Sequence, residues 1–435
     1  MIRRLSIVVL AMIAASSMAV AGESGTGFTT DSCALAPEQE LPGSGDVLEV
    51  GEGRTFATIQ GAVDVAAPGD LIRVYPGEYK EAVEVSDEKD FIRIQGTDRD
   101  QVVLNGDNEK DIAINVDGAD GVMIENMTAH NYTRHGFYWF EAKGYWGRYL
   151  TAYNFGLYGL YAFDSRCGEI SDSYASGGAD SGFYIGECFP CDAVIHHIVA
   201  DRNALGYSGT NAGGDLVLRD SIWKDNGLGI VPNSLDGEER PPQRGITIKN
   251  NLVENNNNAI APGTGIAGAY WGGGIVIAGG VGNQVYGNTV TDHALGGIVI
   301  SPLPDQNLWI PSGNTIWGNT VSHSDEYPDS MDLAQALLSG PGNCWADNVT
   351  SDGAEPTSAP VMIQTIFDCG LPITPPGGHP GVEQALIEGA AEINGRDASD
   401  WRTWPAPTPE AQPEAFEDMP VELAGPLTEW LPALF

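Results

Sequence analysis

The chain has 435 residues, with 59 acidic side chains against 21 basic ones and a formal net charge of −38. Such a surface repels phosphodiester backbones and anionic lipid headgroups, which excludes nucleic acid and membrane surfaces as partners on electrostatic grounds. It also opposes polyanionic sugars such as uronate polymers, unless a divalent cation bridges the two.

Arg3 and Arg4 open the chain, followed by an apolar run from Leu5 to Met18 and the small-x-small sequence Ala19-Val20-Ala21. This is the pattern of an export signal, and the run is short for a bilayer span. Residues 1–21 are therefore expected to be a signal peptide and the mature protein a secreted, periplasmic or extracellular monomer. Losing Arg3 and Arg4 leaves 19 basic residues against 59 acidic ones, a net charge of −40. Residues 22–46 read as a leader of low order. Six cysteines in an exported chain suit disulfides.

Residues 47–82 read as a cap. Thr55 to Ala66 has the pattern of an amphipathic helix, Ala66 to Val74 a turn and a strand, and Tyr75-Pro-Gly-Glu-Tyr79 a second turn. A helix over the open end of a stack of strands would shield its edge.

Residues 83–350 repeat. Gly136, Gly159, Gly182, Gly206 and Gly229 each open a short strand-like alternation, at spacings of 23, 23, 24 and 23 residues. Gly274 and Gly297 resume the spacing of 23 after a gap of 45 that holds one coil and an insertion. A second column, Asn126, Tyr149, Asp172, His197, Asp220, Asn250, Asn288, Asn319 and Asn348, keeps the same register and is expected to stack side-chain amides along an axis. Period-2 alternation inside each piece means strands with one buried face. Strands too short to bury a face alone do so by stacking, each pairing in parallel with its copy about 4.8 Å away. The fold class is all-β: a right-handed parallel β-helix solenoid with an N-terminal capping helix. His196 and His197, adjacent on a strand, are expected to face opposite ways.

The aligned coils bring chemistry into columns. Five residues after the glycines come Glu141, Asp164, Glu187, Asn211 and Ser234. Three carboxylates stacked about 5 Å apart need neutralising. Either Ca²⁺ bound by Glu141, Asp164 and Glu187 does this, or Lys143 and Arg166 do, two positions further on. Tyr138, Tyr161 and Tyr184 fall two residues after the glycines and are expected to form an outward aromatic stripe, with Phe140 and Phe163 beside it. Aromatic faces next to acids suit sugar rings. Asp180 precedes its strand in a turn, and His135 precedes another. Insertions at 233–244, 258–272, which carries Trp271, 301–312 and 327–342 flank the same strand and suit the walls of a cleft. Cys167 and Cys191 fall in nearly the same column, which suits a cross-coil disulfide, and Cys344 with Cys369 suits a clamp on the last coil; Cys33 and Cys188 are left over. Residues 351–435 end in a proline-rich acidic tail, which either lies along the stack through Trp401, Trp404, Phe416 and Trp430 or hangs free.

The stretch from Phe56-Ala-Thr-Ile-Gln through Ala66-Ala-Pro-Gly-Asp-Leu-Ile to Val74-Tyr-Pro-Gly-Glu-Tyr closely resembles the N-terminal cap of pectin-lyase-like right-handed β-helix proteins, most of all NosD-type and uncharacterised exported members. With the coils, the resemblance covers residues 47–350. It implies polysaccharide lyases, hydrolases and epimerases, alongside members without catalysis. The catalytic signatures of the subfamilies are missing: no Asn-Thr-Asp, Gly-His-Gly, Arg-Ile-Lys or Asp-Pro-His-Asp is present, and Arg134-His135-Gly136 is a partial echo only. The expected function is a secreted carbohydrate-active protein binding an extracellular polysaccharide through Tyr138, Tyr161, Tyr184 and Trp271. As a lyase it would hold Ca²⁺ on Glu141, Asp164 and Glu187 and use Arg166 or Lys143 as base or enolate stabiliser. As a glycoside hydrolase it would pair Asp164 with Asp180 or Glu187. The alternative is a non-catalytic protein that holds a glycan or a partner on the same face.

Overall fold

The computed structural model describes residue 33 and residues 42–259, 261, 266–323, 326–394 and 399–413. The expected signal peptide at residues 1–21, most of the expected leader, Phe416 and Trp430 lie outside these residues. None of the described helices is long and apolar enough to cross a membrane.

Each coil contributes three strands. One belongs to a narrow sheet of 11 strands among the described residues, and two to a broad sheet of 20 that bends at a corner. One complete coil shows the plan. His135–Phe140 lies in the narrow sheet, and Lys143–Phe155 runs through both limbs of the broad sheet. Leu160–Phe163 then pairs in parallel with the first strand, Leu160 opposite Phe137 and Tyr161 opposite Tyr138. Alternation sends Phe137, Trp139, Leu160, Ala162, Phe183 and Ile185 into one continuous core.

The corners are made by single residues in the left-handed region. Glu141, Asp164, Glu187 and Asn211 turn the chain out of the narrow sheet, with φ between 47° and 54°. Asn126, Tyr149, Asp172, His197, Asp220 and Asn250 form the bend in the broad sheet. Each costs on the order of 1 kcal/mol for a side chain with a Cβ, and the stack holds it there. Asn and Asp tolerate this conformation best, hence their columns.

The expected amide column is in fact two columns. Asn250 is followed across the coils by Gly287, Gly318 and Asp347, all at the left-handed corner. One residue further inward runs a true amide ladder: Asn251 donates to Asn288 at 3.0 Å, Asn288 to Asn319 at 2.9 Å and Asn319 to Asn348 at 2.8 Å. Glycine serves a left-handed corner as well as asparagine, so aligning on Asn crosses from one column to the next where glycine takes the turn. Two further ladders, Asn203–Asn226–Asn256 and Asn283–Asn314–Asn343, line the other corners.

His197 sits at the corner, which breaks strand alternation. Its Nδ1 therefore meets His196 Nδ1 at 3.0 Å instead of facing away. His196 lies 3.4 Å from Glu169, which also holds Arg148. The cysteines pair as Cys33–Cys167, Cys188–Cys191 and Cys344–Cys369. The cross-coil pair does not form because Gly168 is registered with Ala193, which places Cys167 opposite Asp192 and one step off Cys191. Cys167 is itself a left-handed residue.

The capping helix is only Ile59–Val63, shorter than the pattern from Thr55 to Ala66 suggests, because Thr58 caps it by accepting from the Gly61 N–H at 3.2 Å. Both oxygens of Glu81 hold its first turn, and Ile59, Ala62 and Val63 seal the core. Ile363 and Phe367 are buried at the other end. The segment expected as a late loop, 327–342, contains the coil strand Met331–Gln335, paired with Gly296–Ser301. Within the segment read as a proline-rich tail, Pro380–Asn394 is a helix. Residues 399–413 lie against the broad sheet: Asn154 donates to the Trp404 carbonyl at 2.9 Å and Arg99 to the Pro413 carbonyl at 2.8 Å.

Asn319 sits in the middle of the ladder and is fully buried. Asn319→Ala leaves groups on Asn288 and Asn348 without partners and is expected to cost about 3 kcal/mol in urea unfolding. Asn250→Gly, at the corner beside the ladder, is expected to change stability by less than about 1 kcal/mol.

Candidate functional site

The outward column of the narrow sheet changes character along the axis. It runs Glu84, Asn115, Tyr138, Tyr161, Tyr184 and Ser208, then Val231, Val276, Val299, Ala334 and Ala359. The small apolar residues of the second half are buried beneath Tyr270, Val382 and Leu386, from Ile266–Ala269 and its neighbour and from Pro380–Asn394. Among the described residues no helix covers Tyr138, Tyr161 and Tyr184.

Tyr138 and Tyr161 stack with ring centroids 4.4 Å apart, and Tyr161 meets Tyr184 edge-on at 4.9 Å. The stripe is outward, yet it is more covered than an exposed binding platform would be: Tyr161 is 9% and Tyr184 2% exposed. Tyr158, from the turn before the strand, packs on both at 4.5 and 4.9 Å. Residues 234–243 fold back over two coils and complete the cover. Tyr184 donates to Glu238 at 3.1 Å, the Glu239 N–H to Glu187 at 2.6 Å, and Arg240 pairs with Asp164 and with the Glu187 carbonyl. The hairpin at 303–309 braces this loop, with the Asp236 N–H on Asp305 at 2.8 Å and the Asn307 N–H on Asp236 at 2.6 Å.

Two carboxyl groups meet this tyrosine cluster. Burial pushes Asp180 up to about 7, against the opposing hydrogen bond from Tyr158. Glu238 is also raised to about 7 by burial, against the bond from Tyr184, and the charges of Glu187 and Asp180 push the same way. Burial holds the hydroxyls of Tyr158, Tyr161 and Tyr184 above the usual phenol range, so they remain neutral donors. His135 is 1% exposed among Tyr138, Tyr158 and Tyr161, and neither ring nitrogen has a protein partner. Burial, with the charge of Arg134, lowers it to about 3, so its imidazole is neutral.

The residues singled out by sequence divide into three places. Tyr138, Tyr161, Tyr184 and Asp180 lie in the cluster. Glu141, Asp164 and Glu187 stack at the adjoining corner, exposed, half-buried and buried in that order, with Arg166 exposed two positions beyond. Trp271 lines a separate cleft of about 510 Å³ with Tyr327 and Glu388. Glu238 and Tyr158 were not singled out. Glu238 lies in the Asp-Gly-Glu-Glu run of a recognised insertion, but nothing local says where that insertion returns.

The corner carboxylates do not gather as a cation site. Asp164 is paired with Arg240 and Glu187 is held by the Glu239 N–H. Among the described residues, ligand atoms converge within 4.8 Å only at Cys33, Cys167 and Asp192. Those two sulfurs form a disulfide.

The sequence matches the profile of the right handed beta helix region over residues 112–321. The chain is a right-handed parallel β-helix. No curated protein sequence matches it. Among solved structures, this β-helix is similar to the A-module of mannuronan C-5 epimerase AlgE6 from Azotobacter vinelandii, at 15% identity over 69% of this chain and 90% of that one, with a TM-score of 0.49. It is also similar to an alginate lyase from Paenibacillus sp. str. FPU-7, at 16% identity, 63% and 94% coverage and a TM-score of 0.41. A third is DFA-IIIase from Arthrobacter chlorophenolicus A6, at 11% identity, 68% and 88% coverage and a TM-score of 0.40. At these identities the likeness is one of fold.

A carboxyl group raised on folding contributes stability that is complete below its unfolded value near 4 and is lost as pH rises through about 7. Asp180→Asn and Glu238→Gln are therefore each expected to flatten the fall in melting temperature between pH 5 and pH 8. Each should also melt above the parent protein at pH 8, measured by differential scanning calorimetry.

Proposed function

We propose that this protein is an extracellular glycan-acting enzyme, a glycoside hydrolase with Asp180 and Glu238 as its acid–base pair. The observation that carries the reading is the meeting of these two carboxyls on one tyrosine cluster, one from the turn before a coil strand and one from the loop that folds back over it.

Glycosidic cleavage needs one carboxyl group that still carries its proton at working pH and one that is ionised. Two coupled groups near 7 share one proton around neutrality. The protonated member gives its proton to the departing glycosidic oxygen. The ionised member takes a proton from water or attacks the anomeric carbon. The neutral tyrosine hydroxyls hydrogen-bond the two carboxyls and hold them in place, Tyr184 on Glu238 and Tyr158 on Asp180. Asp164 and Glu187 act here as positioning residues, since they hold Arg240 and Glu239 and with them the loop that carries Glu238. Arg166 lies outside the cluster and has no role in the cleavage step of this reading.

The cover over Tyr161 and Tyr184 favours a second reading, a non-catalytic β-helix that holds its ligand at the exposed rim. In a calcium-assisted lyase, a cation would have to take Asp164 and Glu187 from Arg240 and the Glu239 N–H.

One experiment separates the three. The mature protein is incubated with neutral and acidic polysaccharides, with Ca²⁺ or with chelator, and new reducing ends and unsaturated uronate ends are scored separately. The expected outcome is reducing ends without unsaturation, insensitive to chelator, with a bell-shaped pH profile centred near 7. Asp180→Asn and Glu238→Gln should each lower the rate by about a thousandfold. Calcium-dependent unsaturated ends would establish the lyase; the absence of product on every polymer would overturn the hydrolase, and glycan-array binding would then test the non-catalytic reading.

A further inference from the structure

The cleft that Trp271 lines, of about 510 Å³, opens at the same corner as Asp180, where the chain enters the narrow sheet, but further along the axis. Ser181 is registered with Leu205, Leu205 with Leu228, Ile230 with Ile275, and Gly273 with Gly296. Asp180 precedes Ser181 and Leu295, which lines the cleft, precedes Gly296. Four coil steps separate them, roughly 19 Å along the axis.

Three departures from the repeat build the cleft. The insertion at 258–272 supplies Trp271, whose indole N–H donates to the Asn258 carbonyl at 3.3 Å. The segment before Met331–Gln335 supplies Glu326, Tyr327 and Asp329. Pro380–Asn394 supplies Glu388, which accepts from the Gln384 side-chain amide at 2.5 Å. Trp271 and Tyr327 are half-buried, and the three carboxylates are exposed. No lysine, arginine or histidine is among the described residues that line this cleft.

Aromatic rings beside polar groups suit the apolar face of a sugar ring. Three carboxylates then select among sugars by charge. They repel a sugar acid or a sulfate ester. They accept hydroxyl hydrogen bonds from a neutral sugar. From a protonated amino sugar they accept charge-assisted N–H bonds, about twice as strong, and the nearby rings favour the same cation. The field of the whole chain acts in the same direction, since a net charge of −38 draws a polycation to the surface.

We infer that this cleft is a subsite for an amino sugar, a hexosamine residue whose amine is free and protonated. The substrate class is then a cationic polysaccharide that runs along the corner from the tyrosine cluster to the cleft. That one chain occupies both places rests on the reading of Asp180 and Glu238 given above.

The test is titration calorimetry at pH 6 with a glucosamine hexamer, an N-acetylglucosamine hexamer and hexalysine. The proteins compared are the parent chain, a cleft variant carrying Glu326→Gln, Asp329→Asn and Glu388→Gln, and a charge-matched control carrying Glu52→Gln, Glu88→Gln and Glu109→Gln. All six side chains are exposed, and unchanged melting temperatures report intact folding. The parent chain is expected to bind the free amine at least tenfold more tightly than the acetylated hexamer. The cleft variant should lose most of that difference and the control should keep it. Trp271→Ala should weaken both hexamers. Equal binding of the two hexamers by the parent chain overturns the proposal, as does an undiminished amine preference in the cleft variant. Equal losses in the cleft variant and the control overturn it too, because the attraction then belongs to the surface at large. Hexalysine that binds more tightly than the glucosamine hexamer, through the same three carboxylates, overturns the sugar in favour of a basic peptide. If the acid pair is misassigned instead, the amine preference persists while Asp180→Asn and Glu238→Gln leave product formation unchanged. If only the subsite is misassigned, product formation depends on those two residues while the two hexamers bind alike.

Discussion

Everything in this protein depends on parallel stacking in register. A strand of four to six residues gains little by itself; its inner face is buried only because the next coil lays an equivalent strand beside it. Polar groups at the corners must then be satisfied along the axis, since the core offers them nothing. The buried asparagine ladders do this. In each of the three, a side-chain amide donates to the amide oxygen of the next coil, and that oxygen also accepts the preceding backbone N–H. A ladder residue therefore serves two coils, and the register of the stack is fixed by hydrogen bonds that a shift of one residue would strand in an apolar interior.

Stacking also limits what a coil can do chemically. Whatever one position presents, the neighbouring coils tend to present again about 4.8 Å away. Tyrosines become a stripe and carboxylates become a column of like charge. Specific chemistry needs groups that differ, and the stack obtains them by departing from its own period. The narrow sheet changes its outward residues from tyrosine to valine and alanine, and the second half disappears under helices. On the aromatic half the turn residues Tyr158 and Asp180 and the loop at 234–243 cover the rings and bring in groups that the repeat itself does not supply.

This division explains what was legible in the sequence. The stripe of Tyr138, Tyr161 and Tyr184 and the corner column of Glu141, Asp164 and Glu187 could be read because a spacing of 23 residues converts directly into lateral neighbours. Asp180 could be named because it precedes its glycine by two. The left-handed corners were less legible. Strand alternation predicts opposite faces for His196 and His197, and a shared column predicts a bond between Cys167 and Cys191, but one residue of positive φ re-aims the side chain that follows the rule elsewhere. Gly287 took the place of asparagine at such a corner, and the amide column read from sequence crossed there into its neighbour. Glu238 was out of reach for a different reason. Its position depends on where a loop lands two coils away, and that is set by Glu187, Asp164 and a hairpin some 65 residues further along the chain.

That loop makes the candidate site a property of several coils at once. Between Asp236 and Arg240 it touches the hairpin through Asp236, the tyrosine cluster through Glu238, the corner column through the Glu239 N–H, and Asp164 through Arg240. The corner carboxylates, which as a bare column would repel one another, are what the loop binds, so a charge cost in the repeat becomes the anchor of an element outside it. The same contacts separate two environments. On one side Glu238 is drawn among buried rings, where burial raises its carboxyl; on the other, Lys143 and Arg166 are left facing an open cleft while Arg240 neutralises the acid between them. Two carboxyl groups raised by burial and a cleft lined by basic side chains thus lie on either side of one short loop, in a chain of 59 acidic and 21 basic residues.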